Sequence, residues 1–260
     1  MFVTAGGRRL YFDLAGPETA PTVALAHSLA ADGGMWAEQL PVLLAGGYRV
    51  LRLDMRGHGG SDPVAGDYTM AALADDVATV VGALGVGPVH FIGLSIGGML
   101  GQKLAAKTPE VLTALILCDT AAHMNPAVWD ERIALIRKDG MEAVAEGTMQ
   151  RWFTKPFHQS NPEALKGIRN MLVRTPAEGY IGCARAIQKM DLRADDAKII
   201  CPTLIVVGEE DPATPVAEAR ELNAAIKGSK LVVVPQAAHI TPIEQPAALT
   251  RIIGDFLATL

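Results

Sequence analysis

The chain has 260 residues, 50% of them hydrophobic and 20% charged, with a formal net charge of −5. That length fits one domain with an insertion, or two small domains, around a substantial core. The negative balance argues against nucleic acid and against anionic membrane surfaces as partners. No apolar run approaches the roughly 18 residues of a membrane span. The first residues, MFVTAGGRRL, lack the apolar stretch of a secretory signal. Cys118, Cys183 and Cys201 show no CxxC spacing and read as reduced thiols of a cytoplasmic protein.

In chain order, RRLYFDL (8–14) alternates like a strand, and TVALAH (22–27) and RVLRLDM (49–55) are further strand candidates. MAALADDVATVVGAL (70–84) carries apolar residues at helical spacing and stops near Gly85 and Gly87. VHFIGLS (89–95) is the next strand, IGGMLGQKLAAK (96–107) a helix closed by Pro109, and LTALILCD (112–119) a buried strand. TLIVVGEED (203–211), a helix over about 216–227, the strand KLVVVP (230–235) and a helix running to Leu260 complete the series. Strands alternating with helices mean a mostly parallel, doubly wound sheet covered on both faces.

Residues 121–193 break the alternation. AVWDERIALIRK, MEAVAEGTMQRWF, EALKGIRNMLV and GYIGCARAIQKM are helical patterns punctuated by prolines. An all-helical stretch that returns to the same sheet predicts a cap over one end of it. The expected organisation is a core from 1–120 and 194–260, interrupted by a helical cap at 121–193 inserted between two late strands.

Ser95 lies at the carboxyl end of a strand, where open α/β sheets bind ligands. Its setting, GLSIG, is the GxSxG pattern of a nucleophile on a tight strand-to-helix turn. Gly93 and Gly97 remove side chains that would clash there, and Gly98 permits close packing of the helix. The helix N-terminus favours the negative charge that develops on attack. A serine nucleophile needs a base, and the base needs an orienting acid. On this architecture they follow in the order Ser, Asp or Glu, His. Of the histidines after Ser95, His123 and His158 belong to the helical segment, whereas His239 follows the strand KLVVVP in a loop. His239 is the expected base. Asp211, in the loop after TLIVVG, is the expected acid; Asp119 is the alternative, and Glu209 and Glu210 are expected to be exposed or structural.

The backbone N–H groups of Ile96 and Leu29 are the expected oxyanion donors, the second from the loop HSLA (27–30). Ser28 lacks an elbow and is no nucleophile. His27, Arg56 and His58 read as structural. No HExxH and no paired Cys/His spacing marks a metal site, and no cofactor is expected.

Together, HSLAADGGMW, LRLDMRGHGGSDPVAG, GLSIGGM, WDERI, RWFT, TPAEGYIGCARAI, MDLR, EEDPATP and the final AAH resemble the 3-oxoadipate enol-lactonases of the α/β-hydrolase superfamily over almost the whole chain. The resemblance implies an α/β-hydrolase fold. Carried over by motif, it assigns Ser95 as nucleophile, Asp211 as acid and His239 as base. The elbow and histidine loop are shared with carboxylesterases and other relatives, while WDERI, RWFT and TPAEGYIGC favour the lactonase branch. Ala30 stands where the pattern has glycine and Ile96 where methionine is common, and Arg185 and Gln188 fall where the cap is usually less charged.

The family's substrate is a small lactone with a carboxylate. The segment 121–193 has 11 Lys and Arg against 8 Asp and Glu, a net of +3, which leaves −8 on the rest. A cap more basic than its body favours a small anion in the cleft. Trp129 and Arg132 share a helix face and suit a flat carboxylated ring, and Trp152 is a further candidate wall. The expected substrate is a small ester or lactone. The alternatives are a broad carboxylesterase and a ligand receptor on a hydrolase scaffold.

Overall fold

The computed structural model describes residues 1–260. It begins with strands β1 (Phe2–Ala5), β2 (Arg8–Ala15) and β3 (Thr22–Ala26), helix α1 (Gln39–Ala45) and β4 (Arg49–Leu53). Next come α2 (Met70–Leu84), β5 (Val89–Leu94), α3 (Ile96–Lys107) and β6 (Leu112–Cys118). Six helices follow: α4 (Ala127–Asp139), α5 (Glu142–Trp152), α6 (Lys155–Ser160), α7 (Pro162–Arg174), α8 (Ala177–Lys189) and α9 (Arg193–Asp196). The chain ends with β7 (Thr203–Gly208), α10 (Val216–Ala225), β8 (Lys230–Val234), α11 (Thr241–Glu244) and α12 (Pro246–Leu257).

The strands form one sheet in the order β1-β2-β4-β3-β5-β6-β7-β8. β1 and β2 pair antiparallel, as do β2 and β4; all other pairs are parallel. β3 and β7 are buried at every residue, as expected of parallel strands covered on both faces. Helix α3 packs on β5 and β6, α10 on β7 and β8, and α1 on β4.

Local chemistry explains the boundaries. The Thr69 hydroxyl accepts the Ala72 N–H and caps α2, and Gly85, at φ +63°, ends it in the left-handed region. The last helix is not continuous to Leu260. Gln245, at φ −129° and ψ 56° and kept out of the helical region by the following Pro246, divides it into α11 and α12, and the helix ends at Leu257. β1 is absent from the sequence expectations, although Gly6-Gly7 is a hairpin signal. Both glycines have positive φ, and Phe2–Ala5 pair with Arg8–Tyr11 across them.

The helices α4–α9 leave the sheet after β6 and return before β7. Exit and return lie side by side: the Leu192 N–H donates to the Ala122 carbonyl at 2.8 Å, and His123 bridges Asp191. The three cysteines are free. No helix is long and apolar enough to cross a membrane.

Candidate active site

Ser95 sits between β5 and α3 at φ +56°, ψ −118°. Such a conformation is costly for a residue with a Cβ and is held by its surroundings. The Ser95 N–H donates to the Cys118 carbonyl at 2.9 Å, and its own carbonyl accepts the Thr120 hydroxyl at 2.7 Å. A Cβ on Gly93 would lie 2.1 Å from the Gly97 carbonyl oxygen, and one on Gly97 would lie 2.5 Å from that of Ala26. The turn therefore closes only with glycine on both sides of the serine.

Asp211 lies three residues beyond β7. Its Oδ1 accepts the N–H groups of Ala213 (2.7 Å) and Thr214 (3.2 Å); its Oδ2 accepts the Thr214 hydroxyl (2.7 Å) and meets His239 Nδ1 at 2.8 Å. Burial alone would lower the His239 pKa, but the charge and hydrogen bond of Asp211 outweigh it and raise it. Burial would likewise raise Asp211, yet His239, Thr214 and the Ala213 N–H hold it below the usual carboxylate range. Asp119 is fully buried and turned away, its oxygens taken by the Gly208 N–H (2.8 Å) and the Thr241 hydroxyl (2.6 Å). Burial and the Asp211 charge push Asp119 well up.

Ser95 and His239 line one cavity of about 300 Å³, together with Leu29, Met99, Trp129, Arg132, Thr148, Arg151, Trp152, Tyr180 and the 212–214 loop. No hydrogen bond joins the serine and histidine directly. The Leu29 N–H has no partner in the fold, and the Ile96 N–H belongs to the first turn of α3, where amides lack intrahelical acceptors. The Ile96 side chain is fully buried and takes no part in the lining. Leu29 shares the cavity lining with Ser95, and Ile96 directly follows it in the chain.

The loop bearing Leu29 is braced by two histidines. His27 Nε2 accepts the Met55 N–H at 2.8 Å, so its Nδ1 carries the proton given to the Ser28 carbonyl at 2.7 Å. His58 Nε2 accepts the Ala30 N–H at 3.1 Å, and its Nδ1 faces the Arg56 carbonyl at 3.2 Å. Both rings are thus neutral and structural. Burial, then the neighbouring His27, pushes His58 down to about 3. Ala30 occupies the left-handed region at φ +65°, which explains why glycine suits this position. Arg56 donates two hydrogen bonds to the Asp76 carboxylate, each 2.8 Å.

The upper wall carries two arginines without carboxylate partners. Arg132 lies over the Trp129 ring at 5.2 Å and reaches the Tyr180 hydroxyl at 3.4 Å. Arg151, which sequence reasoning missed, touches only the Thr148 hydroxyl, at 3.2 Å. Burial, then the like charge of Arg132, pulls Arg151 down to about 10. Its position at the end of α5, one residue before Trp152, was the available signal. A serine on a strained turn, a carboxylate-bound imidazole and two guanidiniums without carboxylate partners share one cavity. Such a set can transfer an acyl group and hold an anion.

Residues 23–252 match the family model described as alpha/beta hydrolase family. The chain belongs to the alpha/beta hydrolase family. It is 33% identical to 3-oxoadipate enol-lactonase 2 of Acinetobacter baylyi over 96% of this chain and 94% of that protein. The enol-lactonase from Burkholderia xenovorans LB400 superposes with a TM-score of 0.97 at 37% identity, covering 99% of this chain and 100% of the other. A thermophilic esterase from Thermogutta terrifontis, solved with malate bound, gives a TM-score of 0.91 at 32% identity, covering 99% and 96%.

In this hydrolase helix α8 packs on the loop after β4 through glycines. A Cβ on Gly179 of α8 would lie 2.1 Å from the Gly57 carbonyl oxygen, and one on Gly182 would lie 2.5 Å from the Tyr68 ring. The segment TPAEGYIGC is thus a docking surface for the RGHG loop. Arg185 does not face the cavity; it bonds Asp130 at 2.7 Å and Gln188, tying α8 to α4. His158 Nε2 donates to the Met149 carbonyl at 3.1 Å, outside the cavity. His123, also outside, faces Glu218 at 3.9 Å and with Glu221 forms one group of possible metal ligands. The expectation of no metal cluster did not foresee this group. Glu218 and Glu221 are three residues apart, but His123 lies 95 residues before the first of them, so no local spacing marks the group.

Proposed function

We propose that this hydrolase opens a carboxylate-bearing enol-lactone, 3-oxoadipate enol-lactone, through a serine acyl-enzyme. The observation that carries the reading is the pair of unpaired guanidiniums, Arg132 and Arg151, in the same cavity as Ser95 and His239. Two half-buried guanidiniums without carboxylate partners are poised to take an anion between them. The segment 121–193 serves as the cap that supplies them, with Trp129 and Trp152 as apolar walls beside the ring.

Ser95 Oγ attacks the lactone carbonyl while His239 Nε2 takes its proton. Asp211 keeps the proton on Nδ1 and stabilises the imidazolium. The Leu29 and Ile96 N–H groups hold the oxyanion. Collapse breaks the ring C–O bond, and His239 returns the proton to the enol oxygen, which stays in the same molecule as the acyl group. His239 then activates water, and hydrolysis releases the 3-oxo diacid. The chemistry is complete with these side chains and water.

The names of the Acinetobacter and Burkholderia relatives support this substrate, and the malate held by the Thermogutta esterase supports a small dicarboxylate. That last relative also favours the second reading, a carboxylesterase of short esters. Turnover of p-nitrophenyl acetate with a burst of nitrophenol, lost in Ser95→Ala, is the expected result for either enzyme. No turnover by the unaltered protein leaves only the receptor reading.

A further inference from the structure

Five residues after His239, Glu244 is buried and makes no ion pair. Its two oxygens accept three hydrogen bonds. Oε1 takes the N–H (2.9 Å) and the hydroxyl (2.6 Å) of Thr154, and Oε2 takes the N–H of Ala238 at 2.7 Å. Thr154 caps α6, two residues after the end of α5 at Trp152. Ala238 immediately precedes the imidazole. On its other side, the Ile240 N–H donates to the Trp152 carbonyl at 3.1 Å. The end of α5, which carries Arg151 and Trp152 into the cavity, is therefore tied to both neighbours of His239.

None of these bonds closes the sheet or completes a helix of the core. A carboxyl buried without a cation is unfavourable unless its oxygens are satisfied. Here every donor it meets comes from the cap or from the residue beside the base. Glutamine in its place could accept on one oxygen only and would present a second donor to Ala238 or to Thr154.

We propose that Glu244 is a positioning residue that fixes the cap wall of Arg151 and Trp152 relative to His239. A substrate gripped by its carboxylate at the cap then presents its carbonyl between Ser95 and the imidazole. The proposal rests on the reading of Ser95, Asp211 and His239 as the reacting groups. A substrate without a carboxylate is not held at the cap, so its reaction depends less on this tie. A displacement of about 1 Å at a held substrate can cost on the order of a hundredfold in rate.

The test compares p-nitrophenyl hydrogen glutarate with p-nitrophenyl valerate, esters of equal acyl length with and without the carboxylate. Glu244→Gln and Thr154→Val are assayed beside the unaltered protein, with thermal midpoints recorded. The expected result is a kcat/KM for the anionic ester reduced about tenfold or more in Glu244→Gln and less in Thr154→Val, with the neutral ester reduced by less than about threefold. Equal losses on both esters, or no loss on either, overturn the proposal and leave Glu244 a stabilising residue. If Glu244→Gln does not fold, Thr154→Val decides by the same ratio. Failure of the underlying reading is separate: it appears as full activity of Ser95→Ala on both esters.

Discussion

His239 Nδ1 lies 2.8 Å from Asp211 Oδ2, while Asp119, at the end of the neighbouring strand β6, spends its oxygens on Gly208 and Thr241. Both carboxyls reach the same loop, and only one touches the imidazole. Asp211→Asn should therefore lower kcat by about 10⁴, because the imidazole loses its tautomer and its countercharge. Asp119→Asn keeps the shape and should cost no more than about tenfold. Steady-state rates of the two variants, at matched folded fraction, make the comparison.

The positions of Ser95, Asp211 and His239 at one end of the sheet were legible because each follows a strand end with its own local signature. Glycines flank Ser95, Pro212 follows Asp211, and KLVVVP precedes His239. The segment 121–193 was legible as helices, and the face bearing Trp129 and Arg132 was expected toward the cleft. Trp129, Arg132 and Trp152 do line it. Arg151 was missed because a lone arginine near a helix end reads as a cap for the helix dipole. Glu244 was silent for a different reason. Its partners at 154 and 238 meet it only when cap and core are assembled.

The guanidiniums give a test of substrate charge. Charge-assisted hydrogen bonds are worth roughly 1.5–3 kcal/mol. Arg132→Ala and Arg151→Ala should each raise KM for an anionic lactone by about tenfold to a hundredfold and leave a neutral aryl ester within about threefold. Equal effects on both substrates would remove the anion-binding role.

The contact between Gly57 and Gly179 gives a test of cap docking. Gly179→Ala brings a methyl to 2.1 Å from the Gly57 carbonyl oxygen, and neither backbone can yield cheaply. Overpacking of this kind costs about 1–3 kcal/mol. The thermal midpoint should fall, and Gly147→Ala, which meets only the flexible end of Arg151 at 3.4 Å, should be close to neutral.

Stability should respond to pH from both sides. His58 titrates near 3 in the fold and near its ordinary value of about 6.5 when unfolded. Between those values the unfolded chain binds more protons. The stabilisation is therefore complete above about pH 6.5 and is lost as pH falls, by up to about 1.4 kcal/mol per pH unit. His58→Gln should flatten that slope in urea unfolding.

Asp196 works in the opposite direction. Both of its oxygens are buried without partners, and burial, then Asp195 and Asp191, raises it to about 7. Its neutral form is favoured in the fold, so its contribution is present at low pH and lost as pH rises through 7. Asp196→Asn should stabilise the protein more at pH 8 than at pH 5, by roughly 1–3 kcal/mol. A gain independent of pH would show that the carboxyl is paired or hydrated in solution.

The most direct test of the central claim is kcat/KM for 3-oxoadipate enol-lactone measured beside that for p-nitrophenyl acetate, with the unaltered protein and with Ser95→Ala. The account predicts that the lactone is preferred by at least about a hundredfold, consistent with two charge-assisted contacts, and that Ser95→Ala abolishes turnover of both. A lactone turned over no better than the acetate, or a Ser95→Ala protein that still opens it, would contradict the account.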